Sequence, residues 1–155
     1  MIRFTVPGEP QGKGRPRIGK VGQHARMFTP AKTVAYEGLV AYAAEQAMAG
    51  RPLLAGPCRI ELDVVCTVPA SWSLKKQAMA CAGDVWPTKK PDADNVLKAV
   101  CDGINGVVWN DDTQAVVVAM RKRYGRTPGV TVVVSAIESA VQQMALPQAE
   151  FEAVA

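Results

Sequence analysis

A chain of 155 residues, 48% hydrophobic and 21% charged, is long enough to bury one sizeable core and too balanced to be disordered or fibrous. Its net charge of +4 and pI near 9.0 would follow from solubility alone, but the basic residues cluster while the acids gather in one central motif, which suits a polyanionic partner held over a metal site. Four cysteines without CxxC spacing and a single histidine exclude a Cys/His zinc pattern, and no apolar run approaches about 18 residues, so free buried thiols in a cytoplasmic protein without leader or membrane span are expected.

Ile2, Phe4 and Val6 alternate with Arg3 and Thr5, which predicts a first strand with one buried face. Pro7 to Pro30 is then rich in Gly and Pro, too broken for regular structure, and basic through Lys13, Arg15, Arg17, Lys20 and Arg26. Alone it reads equally as a solvated loop or a phosphate-contacting one; it lacks GxxxxGK[ST], and His24 has no sequence partner and reads as surface. Thr29-Pro30 opens a helix over Ala31 to Ala49, ended by Gly50, with Val34, Leu39, Tyr42, Ala43 and Met48 as its apolar side. Its alanines would let another helix or a second protomer approach closely. Cys58, Ile60, Leu62, Val64, Cys66 and Val68 alternate with polar residues in the clearest strand of the chain. Pro69 to Lys90 is a basic connection through Lys75, Lys76, Lys89 and Lys90, with a short helix around Ser73 to Cys81 capped by Ser73. Trp72 and Trp86 read as pins for this connection in preference to base-stacking platforms.

The most informative stretch follows. Pro91 disfavours helix at Lys90, and Asp92 is placed to cap a helix from Ala93, with Asp94 in its first turn. Val96, Leu97, Val100, Cys101 and Ile104 form an apolar stripe, while Asp94, Lys98, Asp102 and Asn105 share a sector roughly 80° wide at about 100° per residue. Asn105-Gly106 closes the helix, Val107-Val108-Trp109 is strand-like, and Asp111-Asp112 follows. Each acid alone is most simply a cap or a solvated turn. Together, carboxylates ~4 Å apart repel by about 4 kcal/mol at an effective dielectric of 20, so such a cluster points to a hard metal ion or retained protons. Ala115 to Tyr124 and Val130 to Ile137 read as two strands joined by a turn through Gly125, Pro128 and Gly129, with Arg121, Lys122, Arg123 and Arg126 clustered there.

The run Lys90-Pro91-Asp92-Ala93-Asp94-Asn95-Val96-Leu97-Lys98, with Asp102, Asn105-Gly106 and Asp111-Asp112-Thr113-Gln114, resembles the signature of the RusA-like Holliday junction resolvases. Pro10-Gln11-Gly12-Lys13-Gly14-Arg15-Pro16-Arg17 and Pro69-Ala70-Ser71-Trp72-Ser73 resemble the family's phage and prophage members. The resemblance spans about Ile2 to Ile137 and departs at Ala93, where a larger aliphatic residue is usual. It implies a homodimeric, Mg²⁺-dependent endonuclease, with Mn²⁺ as a substitute, that cuts four-way DNA junctions symmetrically in recombination and repair. It also implies that Asp92, Asp94 and Asp112 hold the metal and that Lys98 is the catalytic lysine. Beside such a site, Lys13, Arg15, Arg17, Lys89 and Lys90 become expected DNA contacts. A bland role for Lys98 is an ion pair with Asp94, worth about 0.3 to 0.5 kcal/mol on an exposed helix.

The element order predicts a single α/β (α+β) domain over residues 1–138, a mixed sheet of four or five strands with two main helices on one face, followed by a tail over 139–155 that is helical or disordered. Two rival functions stand beside junction resolution: a nuclease for flaps or other branched DNA, and a protein that binds junctions without cutting them. The intact acids argue against the second, because an acidic cluster repels DNA unless metal is bound.

Overall fold

Period-two alternation gives β1 (Ile2–Pro7) and β4 (Cys58–Thr67) one buried and one wetter face in the computed structural model, which describes residues 1–21 and 24–137. Between them lie β2 (Arg17–Val21), β3 (His24–Phe28) and helix α1 (Ala31–Met48); after them come α2 (Leu74–Ala82), α3 (Ala93–Ile104), a 3-10 turn at Asp112–Gln114, β5 (Ala115–Gly125) and β6 (Gly129–Ala136). The main sheet has four strands in the order β1-β6-β4-β5, with β4 and β5 parallel and the other pairs antiparallel. This is the mixed sheet of a single α+β domain, as expected. Ile2, Phe4, Val6, Ile60, Leu62, Val64, Val130, Val132 and Val134 meet Tyr36, Val40 and Ala44 of α1 and Val96, Val100 and Ile104 of α3 in one core.

Three local expectations are corrected. The basic segment after β1 contains a two-stranded antiparallel ribbon, β2 against β3, because Ile18, Val21 and Phe28 give its two short runs enough strand-forming character despite the glycines and prolines around them. Helix α1 buries Thr33, Tyr36, Val40, Ala44 and Met48, leaving Val34, Leu39 and Tyr42 exposed; alanines on every side make its apolar stripe unreadable from sequence. The β5 and β6 strands are joined by a short turn, as expected, and both pair with β4, which lies between them. Val107-Val108-Trp109 forms no strand; Trp109 makes isolated bridges to Leu54 and Asn105.

The Pro69–Lys90 connection follows its reading in part. Ser73 Oγ accepts from the Lys76 backbone at 3.3 Å and caps α2, and Trp72 packs edge-on against Tyr124, their ring centroids 5.3 Å apart. Trp86 is exposed and is not a pin. Cys58, Cys66 and Cys101 are buried free thiols, and Cys81 is exposed. No helix of the described residues is long and apolar enough to cross a membrane. Residues 138–155, read from sequence as the domain's last residue and a tail, lie outside the described residues, as do the side chains of Arg17, Lys20, His24 and Arg26.

Candidate active site

The chain reaches α3 along the outer side of β5, where the Lys122 ammonium donates to the carbonyls of Lys89 at 2.7 Å and Pro91 at 3.0 Å. Asp92 then takes the N-cap position with extended backbone, and its carbonyl accepts from Val96 N at 3.1 Å, but its side chain does not cap. The carboxylate instead receives a long 3.4 Å contact from Asn95 Nδ2. The bland role of an N-terminal Asp is therefore unused here, and Asp92 and Asp94 are both exposed.

Helix α3 buries Val96, Ala99, Val100, Cys101 and Ile104. At Gly103 a Cβ would stand 2.8 Å from Val40, so α1 and α3 cross at contact distance there. That crossing fixes the rotation of α3, and Asp94, Lys98 and Asp102 line one outward row at four-residue spacing, roughly 6 Å apart along the axis.

Opposite this row the chain is locked by polar contacts. Trp109, fully buried, donates its indole N–H to Asn105 Oδ1 at 2.6 Å, and Gly106, at φ +74°, donates its N–H to the Trp109 carbonyl at 2.7 Å. Gln114 accepts from Asn110 N at 2.9 Å and Asp111 N at 3.3 Å, while its amide donates to the carbonyls of Leu54 and Gly56 at 3.0 and 2.9 Å. Asp111 Oδ1 accepts from Thr113 N at 2.9 Å, completing a capping box on the 3-10 turn. Of the two adjacent acids, Asp111 is thus spent on its own turn.

Asp112 faces α3. Its Oδ2 lies 3.9 Å from Lys98 Nζ, which also lies 3.6 Å from Asp102 Oδ1. The Asp94–Lys98 pair is not formed; Lys98 turns towards the two later acids. Lys98 is 57% exposed, so these contacts are worth only about 0–1 kcal/mol each and leave the ammonium free to move onto a stronger anion. Burial first, then Asp111 beside it, pushes the Asp112 carboxyl above its usual pKa, whereas the Thr113 backbone holds Asp111 below it. Cys101, beneath this pair, is pushed up to about 12 by burial and then by Asp112 and Asp102, and is an unreactive thiol.

Residues 11–14 are not a free surface loop. Lys13 N donates to the Asn95 carbonyl at 2.9 Å and Gly14 N to Thr33 Oγ1 at 3.0 Å, which explains the one buried polar side chain of α1. A Cβ on Gly12 would stand 3.0 Å from Asn95 Cβ, and one on Gly14 2.9 Å from Pro30 Cγ. The segment is a strap laid across α1 and α3. Lys13 Nζ is hydrogen-bonded to Asp102 Oδ2 and stands 3.2 Å from Glu37 Oε1. Between the strap and the start of α3 lies an open cleft of about 610 Å³, with Arg15, Lys90, Asp92 and Asn95 among its lining residues.

Of the expected site residues, Lys98 and Asp112 are brought together, with Asp102 and Lys13 beside them, while Asp92 and Asp94 stand at the start of the same helix. Among the described residues no three His, Cys, Asp or Glu side chains form a ready-made metal cage. The donor chemistry nevertheless fits a hard cation: the acids offer only carboxylate oxygens, and Asp92 is not used by its own helix. Arg15 and Lys90 are exposed on the cleft lining, Lys89 is exposed just before Lys90 in the chain's approach to α3, and Arg17 opens β2. Sequence reasoning missed Glu37 and Lys122. Neither had a local signal, since each reaches the site from another element.

The family model for the endodeoxyribonuclease RusA matches residues 7–135. The chain is also 36% identical over 142 residues to an uncharacterized protein, YqaN, of Bacillus subtilis (strain 168), covering 89% of this chain and 98% of that one.

Proposed function

The chain belongs to the RusA endodeoxyribonuclease family of junction-resolving nucleases, and on that premise we propose that it is a divalent-metal-dependent enzyme that resolves four-way DNA junctions by paired, symmetric phosphodiester cleavage as a homodimer. The observation that carries the reading is the loosely held Lys98 ammonium, 3.9 Å from Asp112 and in one row with Asp94.

Asp92, Asp94 and Asp112 would hold Mg²⁺, or Mn²⁺ in its place. When bound, the ion supplies Lewis acidity and a water of lowered pKa for attack on phosphorus. Lys98 stabilises the negative charge that grows on the phosphate oxygens; its weak pairing lets it exchange Asp112 and Asp102 for the more highly charged transition state. Arg15 and Lys90 line the cleft and, with Lys89 and Arg17, contact the DNA backbone; such contacts position the duplex without reading sequence. Asp111 and Gln114 keep Asp112 facing α3.

The test is a panel of labelled four-way junction, flap and linear duplex DNA with Mg²⁺. Paired nicks confined to the junction are expected. Preferential flap cutting would move the enzyme to general branched DNA, and binding to junctions without cutting by the metal-loaded protein would make it a binding protein.

A further inference from the structure

Asp102 stands one helical turn beyond Lys98 with its side chain only 19% exposed, and its Oδ1 is 3.6 Å from the Lys98 ammonium, closer than Asp112 at 3.9 Å. A partly buried carboxylate with a whole negative charge at this spacing is a trap. It would hold Lys98 in an i,i+4 pair and draw it away from a phosphate on the Asp112 side.

The second oxygen of Asp102 is occupied by Lys13, which comes from a distant part of the chain and sits between Asp102 and Glu37 of α1. The strap delivers it there with little freedom. Its flanking backbone is bonded to Asn95 and Thr33, and the bare Cα atoms of Gly12 and Gly14 allow the approach. The Lys13 ammonium is 26% exposed, and the Asp102 hydrogen bond holds its pKa above the usual lysine value, so it is a committed cation at every pH at which the protein would work.

We propose that Lys13 is a positioning residue: by occupying and neutralising Asp102 from the strap, it keeps Lys98 shared with Asp112 and available to the scissile phosphate. This rests on the reading of Lys98 given under the proposed function. It separates Lys13 from Arg15, its neighbour on the cleft rim, which has no acidic partner among the described ion pairs and contacts DNA.

The full-length protein is compared with Lys13→Met, Asp102→Asn and the double variant. Lys13→Met is expected to cut a saturating junction about tenfold more slowly, the size typical of losing a partner one shell behind a reacting group. Its junction Kd and the slope of log affinity against log salt, measured without metal, stay at the wild-type values. Adding Asp102→Asn removes the trap, so the double variant cuts faster than Lys13→Met alone. A second readout needs no cleavage: acylation of the Lys98 amine by an amine-reactive ester in metal-free protein, followed by mass spectrometry, slows severalfold in Lys13→Met and recovers in the double variant. If Lys13→Met does not fold, Lys13→Gln, which keeps a hydrogen-bond donor but no charge, is used for the same comparison. Weaker binding with a flatter salt slope would make Lys13 a phosphate contact and overturn the proposal; a double variant no better than Lys13→Met would reduce Lys13 to an anchor for the strap. A wild-type protein that cuts no junction would sink the functional reading instead, while the acylation result would still decide the charge relation.

Discussion

At the scale of single residues the site turns on how each acid is used. Asp111 and Asp112 are chemically identical neighbours, yet one caps a 3-10 turn and the other faces Lys98. Asn can replace Asp as a cap but not as an anionic ligand, so Asp111→Asn should leave cleavage near wild type and Asp112→Asn should abolish it. Single-turnover cleavage of a labelled junction checks the pair, and equal losses would refute the division of labour. By the same reasoning Asp94→Asn is expected to stop cutting while keeping or strengthening junction binding, because on the proposed reading it takes away a metal ligand and a repulsive charge together; gel-shift titration beside the cleavage assay measures both. Lys98→Ala should lower turnover far more than affinity, as for a contact strongest in the transition state, and a loss confined to binding would move it to the DNA-positioning residues. The shared row of Asp94, Lys98 and Asp102 was legible in sequence because all three lie on one helix at four-residue spacing. Glu37 was not, because nothing local marks a glutamate that meets Lys13 from a separate helix.

At the scale of elements, α3 was legible and α1 was not, for one physical reason. The large residues of α3 fall on a single stripe, and the polar row of Asp94, Lys98 and Asp102 lies outside it. In α1 the large residues lie on opposite sides, and the buried side includes Thr33, whose hydroxyl is used by the Gly14 N–H of the strap. The crossing of the two helices depends on Gly103, where a methyl group would meet both γ1 and β carbons of Val40 at 2.8 Å and the Glu37 carbonyl at 3.0 Å. Gly103→Ala should therefore cost about 1–3 kcal/mol as overpacking, against the small gain that alanine normally brings inside a helix. Urea denaturation reads the sign directly. Because Glu37 and Asp102 flank this crossing, the same variant should also slow cleavage. The strap was hidden for a related reason: Gly12 and Gly14 looked like loop breakers, and only the neighbouring helices show that they permit close approach.

At the scale of the whole molecule, the face of the sheet away from the helices carries its own electrostatics. Asp63 on β4 accepts from Arg123 and Arg121 on β5, which hold its carboxyl below the usual Asp value of 3.8, the Arg123 hydrogen bond most of all. A lowered folded pKa stabilises the protein above that value and the contribution fades as pH falls through the folded one, so Asp63→Asn should cost about 1 kcal/mol at neutral pH and converge on the wild type in acid below pH 3.8. Denaturation midpoints measured across that range test it. The arrangement of strands also bears on assembly. Two cuts in opposing strands require two sites, and one chain offers one, so a two-fold dimer is expected. The alanines of α1 leave room for a second protomer, whereas β6 pairs with β1 on one side and β4 on the other and has no free edge. The outward side of α1 remains: Val34 is 55% and Tyr42 61% exposed, with Gly38 between them at four-residue spacing and open space above it. Such a stripe lets a second helix approach closely and bury apolar area that a monomer leaves wet. Changing Val34 and Tyr42 together to Asp should convert the dimer to a monomer in sedimentation at micromolar protein, keep the circular dichroism of the fold, and turn paired junction cuts into single nicks. A double variant that still sediments as a dimer would move the interface off α1, and a wild-type monomer that nevertheless pairs its cuts would remove the need for one.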